Sequence, residues 1–252
     1  MSKVIAVANQ KGGVGKTTTC VNLCAALKEQ GARVLLCDMD PQGNSTSGMG
    51  IDKNKSEPNM YNVLIDGVEA VAVIAATPYG DVLPSNKILS GAGVELVMTQ
   101  SREFVLKNVL ADIRQNYDYI LIDCPPSLEM LTLNSLCAAD TVIIPVQCEY
   151  FALEGLSDLM TTIRMIKKAL NLELDIEGVL LTMYDARTSF SSQVAAEIKK
   201  YFNRKVYNVA IPRNIRLAEA PSHGKPVTAY DRLSRGSLAY IELAKEIIKR
   251  NA

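Results

Sequence analysis

The sequence contains no tryptophan, one histidine and few aromatic residues, and its net charge is zero. Aromatic residues make up 6% of a chain that is 48% hydrophobic, so the core has to be built mainly from Val, Ile, Leu and Ala, which buried parallel strands favour. A single histidine cannot anchor a metal cluster. The 27 basic and 27 acidic residues leave no overall charge excess that would attract nucleic acid.

Two further absences narrow the class of protein. The six cysteines form no C-x-x-C pair and several lie in apolar stretches, so we interpret them as small buried residues of a reduced, cytosolic protein. Cys20 and Cys24 share one face of a predicted helix, but no second pair of ligands completes a metal site. The first apolar run ends by residue 8 and no run reaches about 18 apolar residues, so we expect neither a signal peptide nor a membrane-spanning helix.

Short apolar runs, typical of buried strands, alternate along the chain with segments whose apolar residues recur at helical spacing. Strands are predicted over 3–8, 33–37, 119–122, 141–146 and 178–183, with short ones at 82–83 and 206–210. Helices are predicted over 16–30, 102–116, 153–170, 191–202 and 237–249. Residues 41–60 are predicted as a long loop with at most short helical turns, and the type of element over 63–76 stays open. The alternation predicts one α/β domain over residues 1–252, a doubly wound, mostly parallel sheet with helices on both faces.

Residues 9–18, NQKGGVGKTT, nearly match the phosphate-binding loop G-x-x-x-x-G-K-[ST], but Gln10 stands where the first glycine is expected. The stretch lies between a predicted strand and a predicted helix, where glycine N–H groups and the helix N-terminus bind phosphate together. Lys16 is predicted to reach the β- and γ-phosphates of ATP, and the Thr17 hydroxyl is predicted to bind Mg²⁺.

Two predicted strands end in aspartates. LLCDMD contains Asp38 and Asp40, and YILIDCPPS contains Asp123. A carboxylate at the end of a buried strand beside a phosphate loop is well placed to act on Mg²⁺ or on water. An ordinary surface aspartate is a reasonable interpretation for one such strand, but two strands favour a functional site.

The charge is unevenly distributed along the chain. Residues 187–252 contain 13 basic and 5 acidic residues, a net charge of +8, so residues 1–186 carry −8. This asymmetry indicates an anionic partner for the C-terminal region, with a solvated basic face as the alternative.

Five stretches resemble the ParA/Soj family of chromosome- and plasmid-partitioning ATPases: KGGVGKTT, VLLCDMDPQGNSTSG, YDYILIDCPPSL, PVQCEYFALEGL and IPRNIRLAEAPSHGKP. The first alone indicates only the wider group that includes MinD and the nitrogenase iron protein, whereas the second, fourth and fifth are typical of ParA/Soj. Because the phosphate loop starts at residue 9, we expect the short, chromosomal type without an N-terminal DNA-reading domain.

The resemblance implies a P-loop fold with a deviant Walker A motif, in which Lys11 crosses a dimer interface and contacts the phosphates of the nucleotide in the other subunit. It implies that Asp40 orients the attacking water and that Asp38 and Asp123 lie near Mg²⁺. Catalytic roles would then fall on Asp40, Lys16 and Lys11. The implied nucleotide contacts are Lys11, Gly12, Gly13, Val14, Gly15, Lys16, Thr17 and Thr18, with Pro212 and Asn214 as contacts to the adenine. The implied metal contacts are Thr17, Asp38 and Asp123.

The resemblance also implies partners. These are a second copy in an ATP-dependent homodimer, double-stranded DNA bound without sequence preference, and a ParB/Spo0J-type protein whose basic N-terminal tail accelerates slow hydrolysis. Arg187 and Arg216 best match the DNA-binding positions of the family. The implied location is cytoplasmic and nucleoid-associated.

Three alternatives stay open on the same fold. A MinD-like membrane switch needs a basic amphipathic helix after the last fold element, but the apolar face of predicted helix 237–249 is expected to cap the core, so no membrane contact is expected. A redox ATPase needs paired thiols at a subunit interface. Cys124 directly follows the aspartate at a strand end and does not lie in an exposed turn flanked by glycine, so it does not favour this alternative. A ligase in which ATP activates a carboxylate is the enzyme alternative.

Overall fold

Seven strands form one sheet in the computed structural model, which describes residues 2–149 and 152–251. The strands are β1 (Lys3–Val7), β2 (Val34–Asp38), β3 (Ala75–Thr77), β4 (Gly80–Leu83), β5 (Tyr119–Asp123), β6 (Thr141–Gln147) and β7 (Asp175–Thr182). Their order across the sheet is β3-β4-β2-β5-β1-β6-β7, and every neighbouring pair is parallel except β3 and β4. The mostly parallel sheet predicted from the sequence is confirmed.

Twelve α-helices are seen in the described part of the chain. They are α1 (Lys16–Glu29), α2 (Asn44–Gly48), α3 (Met60–Leu64), α4 (Ala70–Val73), α5 (Leu89–Glu95), α6 (Val105–Ile113), α7 (Met130–Ala138), α8 (Ala152–Ala169), α9 (Ser189–Phe202), α10 (Ile215–Glu219), α11 (Val227–Tyr230) and α12 (Arg235–Asn251). Short 3₁₀ turns connect several of them.

The central strand β1 has no solvent-facing side, which explains why its sequence is a continuous apolar run. Val4 and Ala6 belong to a core cluster shared with α6, α7, α8 and α9, whereas Ile5 and Val7 belong to a second cluster shared with α1 and α12. Helices therefore cover both faces, as predicted. Each large apolar side chain buried in this way contributes roughly 1.5–3 kcal/mol.

The register of the three central strands determines where the acidic residues lie. Val7 of β1 is paired with Asp123 of β5, and Asp38 of β2 is paired with the same residue from the other side. Because the strands are parallel, their carboxyl ends meet at one edge of the sheet, where β1 also leads into the glycine-rich loop. Two of the predicted acidic residues are thus brought together beside that loop.

Helix α12 caps the core, as predicted for its apolar face. Tyr240, Leu243, Ala244 and Ile247 are buried against α1, and the Tyr240 hydroxyl lies 3.2 Å from Thr19 Oγ1. Among the helices within residues 2–149 and 152–251, none combines the length and apolarity needed to cross a bilayer.

The strand predicted over 206–210 is wrong. Val206 forms a single parallel bridge with Val179 of β7, and bonding to β7 resumes only at Ile211, whose N donates to Leu181 O at 2.8 Å. The backbone N–H groups of Asn208 and Val209 donate to the carboxylate of Glu246 on α12, at 3.1 and 3.3 Å, instead of extending the sheet. A side chain distant in sequence thus competes successfully with strand pairing.

Other differences concern short or fully buried elements. No element is predicted over 130–138, yet helix α7 forms there, and seven of its nine residues are buried. A helix without a polar face lacks the periodicity by which helices are recognised in a sequence. The open region 63–76 contains parts of α3, α4 and β3. All six cysteines are buried and free, as predicted.

Candidate nucleotide-binding site

The glycine-rich loop joins β1 to α1 in a shape that requires glycine. Gly13 and Gly15 have φ values of 75° and 92°, a left-handed conformation that other residues rarely adopt. A Cβ atom added to Gly12 or Gly13 would meet nothing within 4 Å, so the space next to both residues is open. Its position is held by Asn9, whose Nδ2 donates to Pro145 O at 2.7 Å.

Lys16 is the first residue of α1, and its side chain is almost fully buried. The ammonium group donates to Lys11 O at 3.1 Å, bridging the loop. Burial lowers the pKa of Lys16, and the nearby carboxylates of Asp123 and Asp40 partly offset this effect. A phosphate bound in the loop would offset it further, because an opposite charge stabilises a buried cation.

Asp38 is completely buried, and both of its carboxylate oxygens have partners. Oδ1 accepts from Asp40 N at 3.2 Å, and Oδ2 accepts from Thr46 N at 2.8 Å and from Thr46 Oγ1 at 2.6 Å. Burial raises the pKa of Asp38, while the bonds from Thr46 lower it. This carboxylate is held in place by protein donors, which fits a role near Mg²⁺ through water better than direct coordination.

Asp123 differs from Asp38 because both of its carboxylate oxygens are buried and lack a hydrogen-bond partner in the described structure. Burial and the neighbouring Asp38 raise the pKa of Asp123 to about 8, and the hydroxyls of Thr17 and Ser45 lie near enough to lower it in part. The Ser45 hydroxyl is also buried without a partner. Unpaired buried oxygens grouped at one place are typical of a site that binds a cation or water.

These oxygens fit a hydrated Mg²⁺ ion. Mg²⁺ in nucleotide sites takes one or two protein oxygens and completes its shell with phosphate oxygens and water. Within the described residues, no three His, Cys, Asp or Glu side chains converge as a self-sufficient metal site. The predicted metal residues Thr17 and Asp123 lie together, and Asp38 is next to them.

Asp40 lies one residue beyond Met39, at the start of the loop that leaves β2. Its side chain is buried, and Oδ1 accepts from Gln42 N at 2.9 Å. The Asp40 backbone N–H donates to the carboxylate of Asp38, the last residue of β2. Asp40 therefore lies at the phosphate side of the sheet, where the sequence analysis placed it, and its role in orienting water stays a prediction.

Lys11 has a more exposed environment than Lys16. Its ammonium forms an ion pair with Glu149 Oε2 at 2.9 Å, and both side chains are more than a third exposed. An ion pair of this exposure contributes only about 0–1 kcal/mol. Lys11 is therefore the lysine of the loop that can exchange its partner for a phosphate at little cost.

A cavity of about 240 Å³ lies beside the phosphate loop, on the side of β7. Its lining includes Gly15, Thr18, Met183, Pro212 and Asn214. The two predicted adenine contacts are thus brought next to the predicted phosphate contacts, although they are distant in sequence. Larger cavities occur at the amino end of the sheet and between α8 and α9, but they contain none of the predicted site residues.

The predicted DNA-binding arginines lie outside this site and each has an acidic partner. Arg187 is 90% exposed and binds Asp185 through two hydrogen bonds of 2.7 and 2.9 Å. Arg216 pairs with Glu219 at 2.9 Å and with Asp231 at 3.1 Å. The pKa of Asp185 is lowered to about 2 by Arg187, with a smaller effect of Arg213.

Several residues of the site are not predicted from the sequence. Ser45 and Thr46 reach the carboxylates from a segment predicted as loop, and Thr182 fixes the phosphate loop by donating to Val14 O at 2.8 Å. Ser45 and Thr46 lie within the second resembling stretch, but neither the stretch nor the sequence around Thr182 indicates a role for these hydroxyls. Tyr150 and Phe151, which belong to the fourth resembling stretch, lie outside the described residues.

A buried parallel sheet whose first strand leads into a glycine-rich loop, with a lysine at the start of the next helix, defines a P-loop nucleotide-binding protein. A profile described as AAA domain matches residues 2–176. The chain is 59% identical to the sporulation initiation inhibitor protein Soj of Bacillus subtilis, over 98% of both chains. It is 52% identical to the chromosome partitioning protein ParA of Caulobacter vibrioides, over 98% of this chain and 94% of that protein. The chain belongs to the Soj/ParA family of chromosome-partitioning ATPases.

A solved structure agrees with the expected fold and cofactors. The protein of Mycobacterium smegmatis described as cobyrinic acid a,c-diamide synthase shares 40% identity with this chain and has a TM-score of 0.87, covering 99% of this chain and 95% of that one. It was solved with ADP and magnesium and also with an ATP analogue and magnesium.

Proposed function

We propose that this protein is an ATP-hydrolysing switch for DNA partitioning. ATP and Mg²⁺ drive two chains into a sandwich dimer that binds DNA without sequence preference, and hydrolysis, stimulated by a ParB/Spo0J-type partner, releases the DNA. The main support is one edge of the sheet, where buried Lys16, unpartnered Asp123 and exchangeable Lys11 surround an open glycine loop, in a chain 59% identical to Soj.

Hydrolysis is assigned to residues of this edge. The backbone N–H groups from Gly12 to Thr18 bind the phosphates, and Lys16 stabilises the negative charge that develops during phosphoryl transfer. Thr17 and Asp123 would hold Mg²⁺, which neutralises phosphate charge when bound. Asp40 accepts a hydrogen bond from the attacking water. Pro212 and Asn214 position the base in the cavity next to the loop.

Dimerisation is assigned to Lys11. Its present partner is a half-exposed carboxylate, whereas the phosphates of a nucleotide in a second chain would offer several anionic oxygens at once. Charge-assisted contacts to phosphate are stronger than an exposed ion pair. The dimer would therefore form when ATP is present in both chains and separate after hydrolysis.

DNA binding is assigned to the C-terminal region with its net charge of +8. Arg187 and Arg216 are exposed, but each is paired with acidic residues that partly neutralise it. A single chain therefore offers a weak positive field, and a dimer doubles the number of phosphate contacts. A protein that binds DNA in this way would reside in the cytoplasm at the nucleoid.

The experiment that tests this function measures DNA binding against salt concentration with ATP, with ADP, and with ATP on Lys11→Ala. We expect binding only with ATP, and a loss of binding in Lys11→Ala. Lys55→Ala removes another exposed lysine that also has a carboxylate partner, Asp52, and should bind like the wild type. Equal binding in every condition would show a constitutive basic surface and would contradict the switch.

Two of the three alternatives are separated from this function by simple assays. A MinD-like activity predicts ATP-dependent flotation with anionic liposomes. A ligase, the activity named for the Mycobacterium smegmatis neighbour, predicts turnover that depends on a small-molecule carboxylate acceptor. Acceptor-free ATP turnover that rises with DNA and a basic partner peptide would support partitioning.

A further inference from the structure

A buried ring of hydrogen bonds surrounds Asp38, the last residue of β2, and Asp40, which follows the strand. Thr46, in the short helix α2, donates from its backbone N and from Oγ1 to Asp38 Oδ2, at 2.8 and 2.6 Å. The same Oγ1 accepts from Ser85 N at 2.9 Å. Thr46, Ser85 and Asp38 are all completely buried.

The ring closes through Asp40. Ser85 Oγ donates to Asp40 O at 3.0 Å, and Asp40 N donates to Asp38 Oδ1 at 3.2 Å. Ser85 follows Pro84 at the carboxyl end of β4, so the ring connects the loop after β2 to the neighbouring strand. Both the start of the Asp40 loop and its continuation into α2 are thereby fixed.

The direction of the bonds at Thr46 is determined by chemistry. A backbone N–H can only donate, so the Thr46 hydroxyl has to accept from Ser85 and give its single hydrogen to the Asp38 carboxylate. A hydroxyl that donates to a buried carboxylate forms a strong, charge-assisted bond. Through this one hydroxyl, Thr46 links the end of β2 to the segment that follows β4.

We propose that Thr46 is a positioning residue for hydrolysis. It holds the Asp38 carboxylate and, through Ser85, the backbone of Asp40, so that the Asp40 side chain stays directed to the phosphate side of the sheet. This inference rests on the proposed function, since it takes Asp40 as the residue that orients water. It adds Thr46 and Ser85 to the residues on which turnover depends.

The test compares Thr46→Val, which keeps the shape and loses the hydroxyl, with Thr46→Ser, which keeps the hydroxyl. Thr141→Val is the matched control, because Thr141 Oγ1 also donates to a buried carboxylate, Glu177 Oε2 at 2.8 Å, but at the opposite edge of the sheet. Both Val variants should lose thermal stability to a similar extent.

We expect Thr46→Val to lower kcat at least tenfold, because a displacement of about 1 Å in a catalytic group costs up to about 100-fold. Its affinity for ATP and its ATP-dependent dimerisation, measured by equilibrium binding and by light scattering, should stay within about threefold of wild type. Thr46→Ser and Thr141→Val should keep kcat within about twofold. Wild-type kcat in Thr46→Val would overturn the proposal.

Two measurements keep the proposal testable if Thr46→Val does not fold. Ser85→Ala removes only the bond to Asp40 O and should lower kcat about threefold, whereas unchanged turnover would contradict the ring. In the unmodified protein, the amide hydrogens of Asp40, Thr46 and Ser85 should exchange as slowly as those of β2, and fast exchange would overturn the proposal. If Asp40→Ala keeps full turnover, the proposed function of Asp40 fails, independently of whether Thr46 holds it.

Discussion

Two charged regions differ in the burial of their charged side chains. One is the carboxyl edge of the sheet next to the glycine-rich loop, called here the phosphate edge, and the other is the basic C-terminal region, residues 187–252. At the phosphate edge Lys16, Asp38, Asp40 and Asp123 are buried. The Lys16 ammonium and both oxygens of Asp38 have defined protein partners, whereas both oxygens of Asp123 have none. In the C-terminal region Arg187 and Arg216 are exposed and paired with nearby acids. Buried charges interact strongly and locally, whereas exposed charges are screened and act mainly through their sum. A single substitution should therefore be severe at the first region and mild at the second.

The largest effect is expected for Asp40→Ala. Removal of a group that orients and activates water should lower kcat by about 10²–10⁴-fold, while ATP binding and dimerisation persist. Single-turnover hydrolysis and light scattering measure the two properties separately. Asp52→Ala, in the loop after α2, is the control and should leave both unchanged. Loss of ATP binding together with turnover would instead indicate that Asp40 supports the fold of the loop.

Asp123→Asn is expected to increase the thermal stability of the protein without Mg²⁺. The substitution removes a buried carboxylate without a partner, whose burial costs about 1–3 kcal/mol or more. We expect the Tm without Mg²⁺ to rise by several degrees, since 1 kcal/mol corresponds to about 2–4 °C in a chain of this size.

The same variant should need more Mg²⁺ for half-maximal turnover. Asp112→Asn, an exposed acid on α6, should change neither property. An unchanged or lower Tm in Asp123→Asn would show that Asp123 is not strained by its burial.

The smallest effects are expected for Arg187→Ala and Arg216→Ala. Each should weaken DNA binding several-fold and reduce the slope of log K against log salt by about 0.9 for each DNA phosphate that the arginine binds. ATP-dependent dimerisation should persist. Arg33→Ala removes another exposed arginine with a carboxylate partner, next to the amino end of β2, and should have no effect. Unchanged DNA affinity in both variants would contradict the assignment of DNA binding to these arginines.

The sequence predicts those features of the structure that depend on local patterns, and it does not predict those that depend on contacts between distant segments. The apolar strands, the glycine loop and the strand-end aspartates follow from local patterns, and parallel pairing then brings Asp38 and Asp123 together. The ring through Thr46 and Ser85 cannot be predicted in this way, because its bonds join segments that no local pattern connects.

One wrong strand and one missed helix both depend on contacts with distant parts of the chain. The segment 206–210 reads as a strand, but its N–H groups bind Glu246 of a helix that is distant in sequence. Helix α7 lacks a polar face because it is enclosed by neighbouring elements. Asp185 and Glu219 are close in sequence to Arg187 and Arg216, whereas Asp231, the second partner of Arg216, is distant, and only the structure shows that these pairs form.

The loop after β7 carries parts of both regions on one short piece of chain. Thr182, at the end of β7, is hydrogen-bonded to the phosphate loop, and Met183 lines the cavity of about 240 Å³ beside that loop. Arg187 follows shortly before α9. Met183 has a left-handed backbone (φ 49°), and Tyr184 N donates to Ile211 O at 3.0 Å. A left-handed conformation in a residue other than glycine costs about 1–3 kcal/mol and persists only where its surroundings enforce it. The residue that bonds the phosphate loop and the candidate DNA-binding arginine are therefore separated by only five positions on one short segment of chain.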